Sequence, residues 1–430
     1  MRRRSIADLT RREWLRCLGA GATSAFLGCD EPSPSELVAA VLDPSDSALT
    51  VALSGGRPGP AAVEVWAGDE LVALPLVEID AAGLAAVDVT GLAPDREHAI
   101  EIVVRGVRSG PYRARTAPHP DDPRPVRIAV SADYDPHPSF ATELVDHVVA
   151  AEPELFVSLG DFPYTDNGPV AKTVSEYRAR HHLTRSAPAA RRLFENVGVR
   201  AIYDDHEFRN DWDAMRAAAE ADRYAAAMQV WDEFFPVRDA IGAIRYRSWR
   251  WGAHLECFLL DVRRFRHANA DPDGPAKSML GDVQRAWLVD GVRRSTATFK
   301  LVLTPVPLDF GIGDDHWAAF ATERDLVLEA LVGIPGVLFV SADQHYFAAY
   351  RHAYGVRELQ VGPLARGIGP PGPVTSGVLF RHHDYNAAVL DVSADRLVIS
   401  GVGPDGARFY EETLTPDELT PRATHAPSPT

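Results

Sequence analysis

Four short polar clusters, each following a run of strand-forming apolar residues, carry the side chains most able to do chemistry. They read SADYDPH (131–137), GDFPY (160–164), DDHE (204–207) and SADQH (341–345). One aspartate at such a place usually starts a turn, but four clusters that combine Asp with His or Tyr exceed what turns need. Carboxylates that face one another repel, and metal ions are their natural neutraliser. The candidate residues are Asp133, Asp135, His137, Asp161, Tyr164, Asp204, Asp205, His206, Asp343 and His345.

The elements that must position these clusters alternate between strand and helix from about residue 126 onward. Buried strands are predicted for VRIAVSAD, ELFVSLGD, VRAIYDDHE, HLECFLLDVR, FKLVLTPVP and GVLFVSADQHY, and helices for SFATELVDHVVAAEP and APAARRLFENV. The segment NAAVLDVSADRLVISGVGPDGARFYEETL predicts a strand pair or meander. In this α/β layout function collects at the carboxyl ends of strands.

A different pattern precedes this region. Residues 37–117 consist of short runs with alternating polarity, separated by Gly, Pro and Asp turns, which predicts a small all-β domain. The Pro- and Asp-rich residues 118–125 are predicted to be a linker, 126–415 the α/β domain that carries the polar clusters and 416–430 a polar tail.

The first 36 residues predict export rather than a part of the fold. TRREWLR (10–16) precedes a run of small and apolar residues that is too short to span a membrane. The motif and the run that follows it together resemble a twin-arginine signal. The sequence AFLGC resembles a lipoprotein cleavage box that ends at Cys29. We expect residues 1–28 to be the signal, Cys29 to be lipidated and 29–36 to be a tether. The alternative is an amphipathic first helix of a cytosolic protein.

Cysteine usage agrees with this expectation, and the net charge limits the possible partners. The formal net charge is −16, and loss of residues 1–28, with six arginines and two acidic residues, would make it −20. So acidic a chain is a poor partner for nucleic acid. Cys257 would be the only thiol beyond the signal and Cys29, which leaves no internal disulfide. We expect a periplasmic or cell-surface protein that needs the twin-arginine export machinery and touches the membrane only through its lipid anchor.

The order and spacing of the four clusters resemble the calcineurin-like metallophosphoesterases, specifically the alkaline phosphatase D (PhoD-like) branch. YDDHEF matches that branch's Asp-Asp-His-Glu motif, and SADQH resembles its final Gly-Asp-x-His motif. LLDVRRFR (259–266) and HWAAFATERDLVLEAL (316–331) resemble further stretches, so that the resemblance runs from about residue 37 to the end. It implies an α/β fold, a metallophosphoesterase β-sandwich flanked by helices, with a small immunoglobulin- or fibronectin-like all-β domain before it.

The resemblance also implies two or more metal ions. Asp161 would be the carboxylate shared by two cations, and Tyr164 and His345 would complete the first site. A phenolate and an imidazole favour iron there. Asp205 and Asp343 would hold the second cation, for which carboxylates favour calcium, manganese or magnesium. His206 would face the substrate as the acid that protonates the leaving alcohol, or bind a phosphoryl oxygen.

The sequence departs from the branch at the end of the first strand. Where the branch has a cysteine that ligates the ferric ion, this chain has Ala132. The neighbouring Asp133 restores the carboxylate that the wider class has at this place, and Asp135 and His137 are further candidate donors. Arg366, in the loop VGPLARG, is a candidate substrate contact.

Together these observations predict an exported hydrolase of small phosphate esters or diesters, in which two cations clamp the phosphoryl group and activate water. Two alternatives remain open. One is a metal-poor pseudoenzyme that serves as a surface binding protein on the same fold, which the departure at Ala132 motivates. The other is a phosphodiesterase that acts on phospholipid head groups or cell-wall polymers.

Overall fold

The computed structural model describes residues 37–140, 143–238, 242, 244–309, 313–370 and 377–423. The predicted signal, the tether and Cys29 lie outside the described residues. Within the described ranges, no helix is both long and apolar enough to cross a membrane.

Most strands belong to two large sheets. The strands are β1 (Val38–Leu42), β2 (Ala48–Ser54), β3 (Gly59–Ala67), β4 (Glu70–Ala73), β5 (Leu76–Ile79), β6 (Ala85–Thr90), β7 (Glu97–Val104), β8 (Val107–Arg115), β9 (Val126–Ser131), β10 (Leu155–Ser158), β11 (Val199–Ala201), β12 (Arg247–Trp251), β13 (Leu255–Leu259), β14 (Phe299–Leu303), β15 (Val337–Ser341), β16 (Phe347–Arg351), β17 (Arg357–Gln360), β18 (Val378–His382), β19 (Ala387–Val392), β20 (Leu397–Val402) and β21 (Arg408–Leu414). One sheet has the order β21-β20-β19-β9-β10-β11-β1-β2-β6 and the other the order β12-β13-β14-β15-β17-β16-β18.

Side chains alternate between two cores along the strands of the seven-stranded sheet. In β13, Cys257 and Leu259 join the large core that also contains Ile128 and Val157 of the nine-stranded sheet. Phe258, between them, joins a second core. Because successive side chains of a strand point to opposite faces, one face of this sheet packs toward the nine-stranded sheet and the other is covered by helices.

The helices are α1 (Glu143–Ala150), α2 (Val174–Ser186), α3 (Pro188–Asn196), α4 (Ala214–Ala219), α5 (Ala221–Phe234), α6 (Gly281–Arg294) and α7 (Ala321–Ala330). Helices α6 and α7 supply the second core with Leu288 and Val327. Helix α1 packs on β19 and β20, whereas α3 packs on β1 and β8. A capping box formed by Thr173 and Glu176 satisfies backbone N–H groups at the start of α2.

The strands between residues 38 and 115 form two layers. Strands β1, β2 and β6 face the small sheet β4-β3-β7-β8, and apolar side chains of both layers share one core. Strand β1, which the sequence pattern did not predict, also pairs in parallel with β11, and the N–H of Asp43 donates to the carbonyl of Val199 at 3.0 Å. The N-terminal strands thus continue into the nine-stranded sheet. That residues 37–117 form a separate domain stays a prediction.

Candidate metal centre

The four polar clusters follow strands whose carboxyl ends meet. Strands β9, β10 and β11 are neighbouring and parallel, with Ser131 paired with Ser158 and Ser158 with Ala201. Strand β15, in the facing sheet, ends at Ser341. The loops that follow these strands lie at one edge of the packed sheets, where their side chains converge.

These loops depart from ordinary backbone geometry. Asp133, Asp161, Asp343 and His345 have φ angles of 61°, 56°, 72° and 56°, a region that non-glycine residues rarely adopt and that clusters at functional sites. Gly160 lets two loops touch, because a Cβ at that residue would lie 2.5 Å from the Cβ of Asp204. The loop geometry brings the carboxylates together instead of spacing them apart.

One group of potential ligands is formed by Asp133, Asp161 and His345, whose ligand atoms lie within 4.8 Å of one another. The Oη of Tyr164 lies 2.9 Å from Nε2 of His345. Nδ1 of His345 donates to the carbonyl of Gly367 at 2.6 Å, so Nε2 presents its lone pair to the group, as in a typical metal-binding histidine.

Two further groups adjoin the first. Asp161, Asp205 and His206 form one, and Asp204, Asp205 and Asp343 form the other. Asp204 is also ion-paired with the buried Arg263. A fourth group, formed by Asp205, Asp211 and Asp315, shares Asp205 with these two groups. Asp161 thus belongs to two groups and Asp205 to three, an arrangement suited to carboxylates shared between cations. His206, predicted to face substrate, lies close enough to Asp161 and Asp205 to be a ligand as well.

Several carboxylate oxygens of these groups are buried without a hydrogen-bond partner: both oxygens of Asp133, Oδ2 of Asp161 and Oδ1 of Asp205. Buried anionic oxygens without partners are costly, and oxygen-rich sites of this kind suit hard cations. The acidic clusters are therefore compatible with several metal ions, which the unpartnered oxygens would bind.

The pKa values of these side chains in the metal-free protein reflect repulsion between the carboxylates. Burial, followed by the charges of neighbouring carboxylates, holds the pKa of Asp133, Asp161 and Asp343 well above the ordinary range. Burial raises the pKa of Asp204 to about 7, against the lowering effect of Arg263. Cations would replace this repulsion by attraction.

His206 is oriented by Asp166, a residue that the sequence pattern did not single out. The two side chains are joined between Nδ1 and Oδ1 at 2.6 Å, and the other oxygen of Asp166 accepts from the N–H of Asn210 at 2.8 Å. Burial alone would lower the pKa of His206, but the charge of Asp205 and the bond with Asp166 raise it to about 9. The remaining nitrogen of His206, Nε2, lies 4.0 Å from Oδ2 of Asp161, at the edge of the acidic groups.

Arg366 lies beside the same groups. Its guanidinium carbon is 4.6 Å from the ring centroid of Tyr164 and 5.0 Å from that of Phe140. Its Nε is buried without a hydrogen-bond partner. Aromatic faces hold this cation in place, and a contact from Arg366 to substrate stays a prediction.

The other candidates of the first strand lie apart from these groups. Asp135 accepts from the side-chain amide of Asn167 at 2.9 Å, and His137 is exposed. Neither joins a potential ligand group among the described residues. Ala132 is buried, and Cys257 lies in β13 within the large core, where burial raises the pKa of its thiol. Cys257 therefore does not replace the missing cysteine.

Glu207 and Arg263 are two further residues that sequence reasoning missed. The carboxylate of Glu207 accepts hydrogen bonds from backbone N–H groups of the loops that follow β10 and β11. Burial raises its pKa to about 8, although these bonds lower it. Arg263 is fully buried and contacts Asp204 and Asp315. Both residues lie in stretches that resemble family motifs, DDHE and LLDVRRFR. That position was the sequence feature from which their importance could have been inferred.

Comparison with known proteins agrees with the geometry. The sequence profile of the PhoD-like phosphatase family matches residues 129–367. No curated protein matches the chain. Among solved structures, the chain is similar to PhoD, with a TM-score of 0.81 and 17% identity over 94% of each chain. It is also similar to purple acid phosphatase PPD1 from yellow lupin (Lupinus luteus) seeds, with a TM-score of 0.67 and 13% identity over 92% of this chain and 78% of that one.

These likenesses confirm the predicted α/β fold of the metallophosphoesterase type. At such low identity they show the fold alone. The profile, by contrast, covers more than half of the chain and includes all four polar clusters in full. The resemblance seen in the motifs is thereby confirmed, and the chain belongs to the PhoD-like phosphatase family.

Proposed function

We propose that the protein is a metal-dependent hydrolase of phosphoric esters, acting on small monoesters or diesters. The observation that carries the proposal is the convergence of Asp133, Asp161, Asp205 and Asp343 in adjoining ligand groups. The first three of these residues have buried carboxylate oxygens without a hydrogen-bond partner. Membership of the PhoD-like phosphatase family supports the same reaction class.

In the proposed site, Asp133, Asp161, Tyr164 and His345 would hold the first cation, and Asp161, Asp205 and Asp343 would hold the second. The first donor set contains a phenol and an imidazole and suits iron, whereas the second contains only carboxylates and suits calcium, manganese or magnesium. When bound, two such cations would supply Lewis acidity toward the phosphoryl group and lower the pKa of a bound water. If the first cation is ferric, a tyrosinate-to-iron charge-transfer band will be present and will vanish in Tyr164→Phe.

The chain's own residues then orient the ester and manage its protons. Arg366, held between two rings, binds a phosphoryl oxygen. His206 keeps 15% of its side chain exposed, whereas Asp161 keeps 1%, so His206 can reach a bound ester. Asp166 holds the imidazolium through Nδ1, and the opposite nitrogen gives its proton to the leaving alcohol as the P–O bond breaks.

We also propose that the protein is exported through the twin-arginine machinery and anchored by a lipid on Cys29, on the periplasmic or cell-surface side. The support is the sequence of residues 1–29. In this setting its substrates would be phosphate esters or diesters outside the cytoplasm, with no nucleic acid partner.

The proposal is tested with p-nitrophenyl phosphate and bis(p-nitrophenyl) phosphate, with metals added singly and in pairs. Metal-dependent turnover of either ester supports it. A strong preference for the diester favours the phospholipid or cell-wall polymer substrates.

A metal-poor binding protein on the same fold is the second candidate, because Ala132 stands where the branch has a ligand cysteine. The unpartnered oxygens of Asp133 argue for the enzyme. Protein matured through its own export route that holds no metal and turns over neither ester would establish the second candidate.

A further inference from the structure

Glu207 directly follows His206 and is 1% exposed, yet its carboxylate forms no ion pair with any residue that the structure describes. Its Oε1 accepts from the N–H of Phe162 at 2.8 Å. Its Oε2 accepts from the N–H of Asp161 at 3.1 Å and from the N–H of Asp204 at 2.9 Å. One carboxylate thus serves three backbone donors, and both of its oxygens are occupied.

These three donors lie in two different loops. Asp161 and Phe162 follow β10, whereas Asp204 follows β11, and the side chain of Glu207 spans the gap between the loops. Asp161 sits at a φ of 56°, and such a conformation persists only when its surroundings over-determine it. The bond from its own N–H is one of the contacts that do so.

The same two loops present the carboxylates that are proposed to be shared by the cations. Asp161 belongs to the first two ligand groups, and Asp205, which is next to Asp204, belongs to the second, third and fourth. Glu207 itself belongs to no ligand group among the described residues, and both of its oxygens are engaged with backbone N–H groups. Its effect on the cations must pass through the residues that it holds.

We propose that Glu207 is a positioning residue, which sets the distance between the carboxylates of Asp161 and Asp205 before any cation binds. The inference rests on the proposed function, because it assigns those two carboxylates to the cations. It goes further in assigning the pre-organisation of the site to one side chain outside the ligand set.

Glutamine cannot replace glutamate in this role. A carboxylate offers acceptors on both oxygens, whereas one end of the amide is an NH₂ donor. In Glu207→Gln this NH₂ group would face either the N–H of Phe162 or those of Asp161 and Asp204. At least one backbone donor would be left buried without an acceptor, which favours displacement of its loop.

The chain offers a matched control at Glu323, in α7. This carboxylate is also 1% exposed and also accepts from two consecutive backbone N–H groups, those of Met279 at 2.5 Å and Leu280 at 3.2 Å. The loop that it holds precedes α6, away from the ligand groups. Unlike Glu207, Glu323 also accepts from the hydroxyl of Ser278 and is ion-paired with Arg285. Glu323→Gln therefore removes at least as many interactions as Glu207→Gln and tests for a general loss of stability.

The test measures the metal concentration that gives half-maximal hydrolysis of p-nitrophenyl phosphate or its diester, whichever the wild type cleaves. For Glu207→Gln we expect this concentration to rise 10- to 100-fold, as is usual when a group that supports a ligand is changed. For Glu323→Gln we expect no change, even if thermal stability falls. Equal metal requirements for Glu207→Gln and the wild type would overturn the proposal.

A second measurement needs no variant and covers the case in which Glu207→Gln does not fold. In wild-type protein stripped of metal, hydrogen exchange over 159–164 and 202–207 should be slow, because Glu207 holds these loops without cations. Exchange as fast as in an exposed loop of the same protein would overturn the proposal. The exchange measurement does not depend on hydrolysis and therefore tests the role of Glu207 alone. A wild-type protein that binds no metal and cleaves neither ester would refute the proposed function, whatever its exchange rates.

Discussion

Nδ1 of His206 and Oδ1 of Asp166 lie 2.6 Å apart, and the second oxygen of Asp166 is fixed by the backbone N–H of Asn210. This pair defines how a proton would be delivered. His206→Ala should lower turnover of esters with poor leaving groups by about 10²- to 10⁴-fold, typical for a lost general acid, and that of activated esters far less. Asp166→Asn should act in the same direction but less strongly.

To check this, kcat is measured in the wild type and the variants for a series of esters whose leaving alcohols span a range of pKa. The metal content of each protein is measured as well. An equal loss for all leaving groups would contradict the role as acid. Loss of metal from His206→Ala would instead make His206 a ligand, which its distance to Asp161 and Asp205 allows.

The end of the first strand gives a second prediction. Asp133→Ala should lose the first cation, because it removes a buried oxygen donor beside Asp161 and His345. Asp135→Ala and His137→Ala should keep it, because Asp135 is bonded to Asn167 and His137 is exposed. Metal analysis of the three purified variants decides. Full metal content in Asp133→Ala, with loss in either of the others, would move the ligand to Asp135 or His137.

Stability should depend on pH through His181, which is buried against Phe234. Burial, and then the charge of Arg185, lower its pKa from 6.5 to about 3. Between these values the unfolded chain binds a proton that the folded protein does not. The free energy of unfolding therefore falls as the pH falls through this window, and the penalty is absent above it.

His181→Leu should flatten this dependence, by up to about 1.4 kcal/mol per pH unit for one proton. Urea denaturation between pH 6.5 and 4, at fixed metal content, measures it, with the exposed His119→Gln as the control. The same slope in the wild type and in His181→Leu would show that His181 takes up its proton in the folded state.

Export gives a prediction on residues outside the described part of the chain. Changing Arg11 and Arg12 together to Lys should keep the protein in the cytoplasm if TRREWLR is a twin-arginine signal. Cys29→Ser should release the exported protein from the membrane, since acyl chains supply about 0.8 kcal/mol per buried methylene. Cell fractionation with immunoblotting reads both variants, and unchanged localisation of the double arginine variant would exclude this route.

Much of the catalytic fold could be predicted because its central strands are continuous apolar runs that end in polar clusters. β9, β10, β14 and β15 were predicted on that basis and are confirmed. β1 was missed, and so was its pairing with β11, because pairing across more than 150 residues leaves no local signal. The link between the N-terminal strands and the central sheet was therefore not visible in the sequence.

The site, too, could be predicted in part from the sequence. Ligand candidates such as Asp161 and Asp205 carry a visible signal, because their residue types recur at strand ends. Asp166 reads as an ordinary turn residue in YTDNG, and only the fold reveals that it meets His206, 40 positions away. Glu207 is part of a recognisable motif, but its role depends on which backbone N–H groups surround it, and that is a property of tertiary structure.

The central claim is that converging carboxylates hold the cations that hydrolyse the ester. It is tested most directly by measuring metal content and ester turnover together in the wild type and in Asp161→Ala, which removes a carboxylate common to two ligand groups. The account predicts at least two metal ions per wild-type chain, and loss of both metal and turnover in a folded variant. A folded Asp161→Ala protein with wild-type metal content and turnover would contradict it.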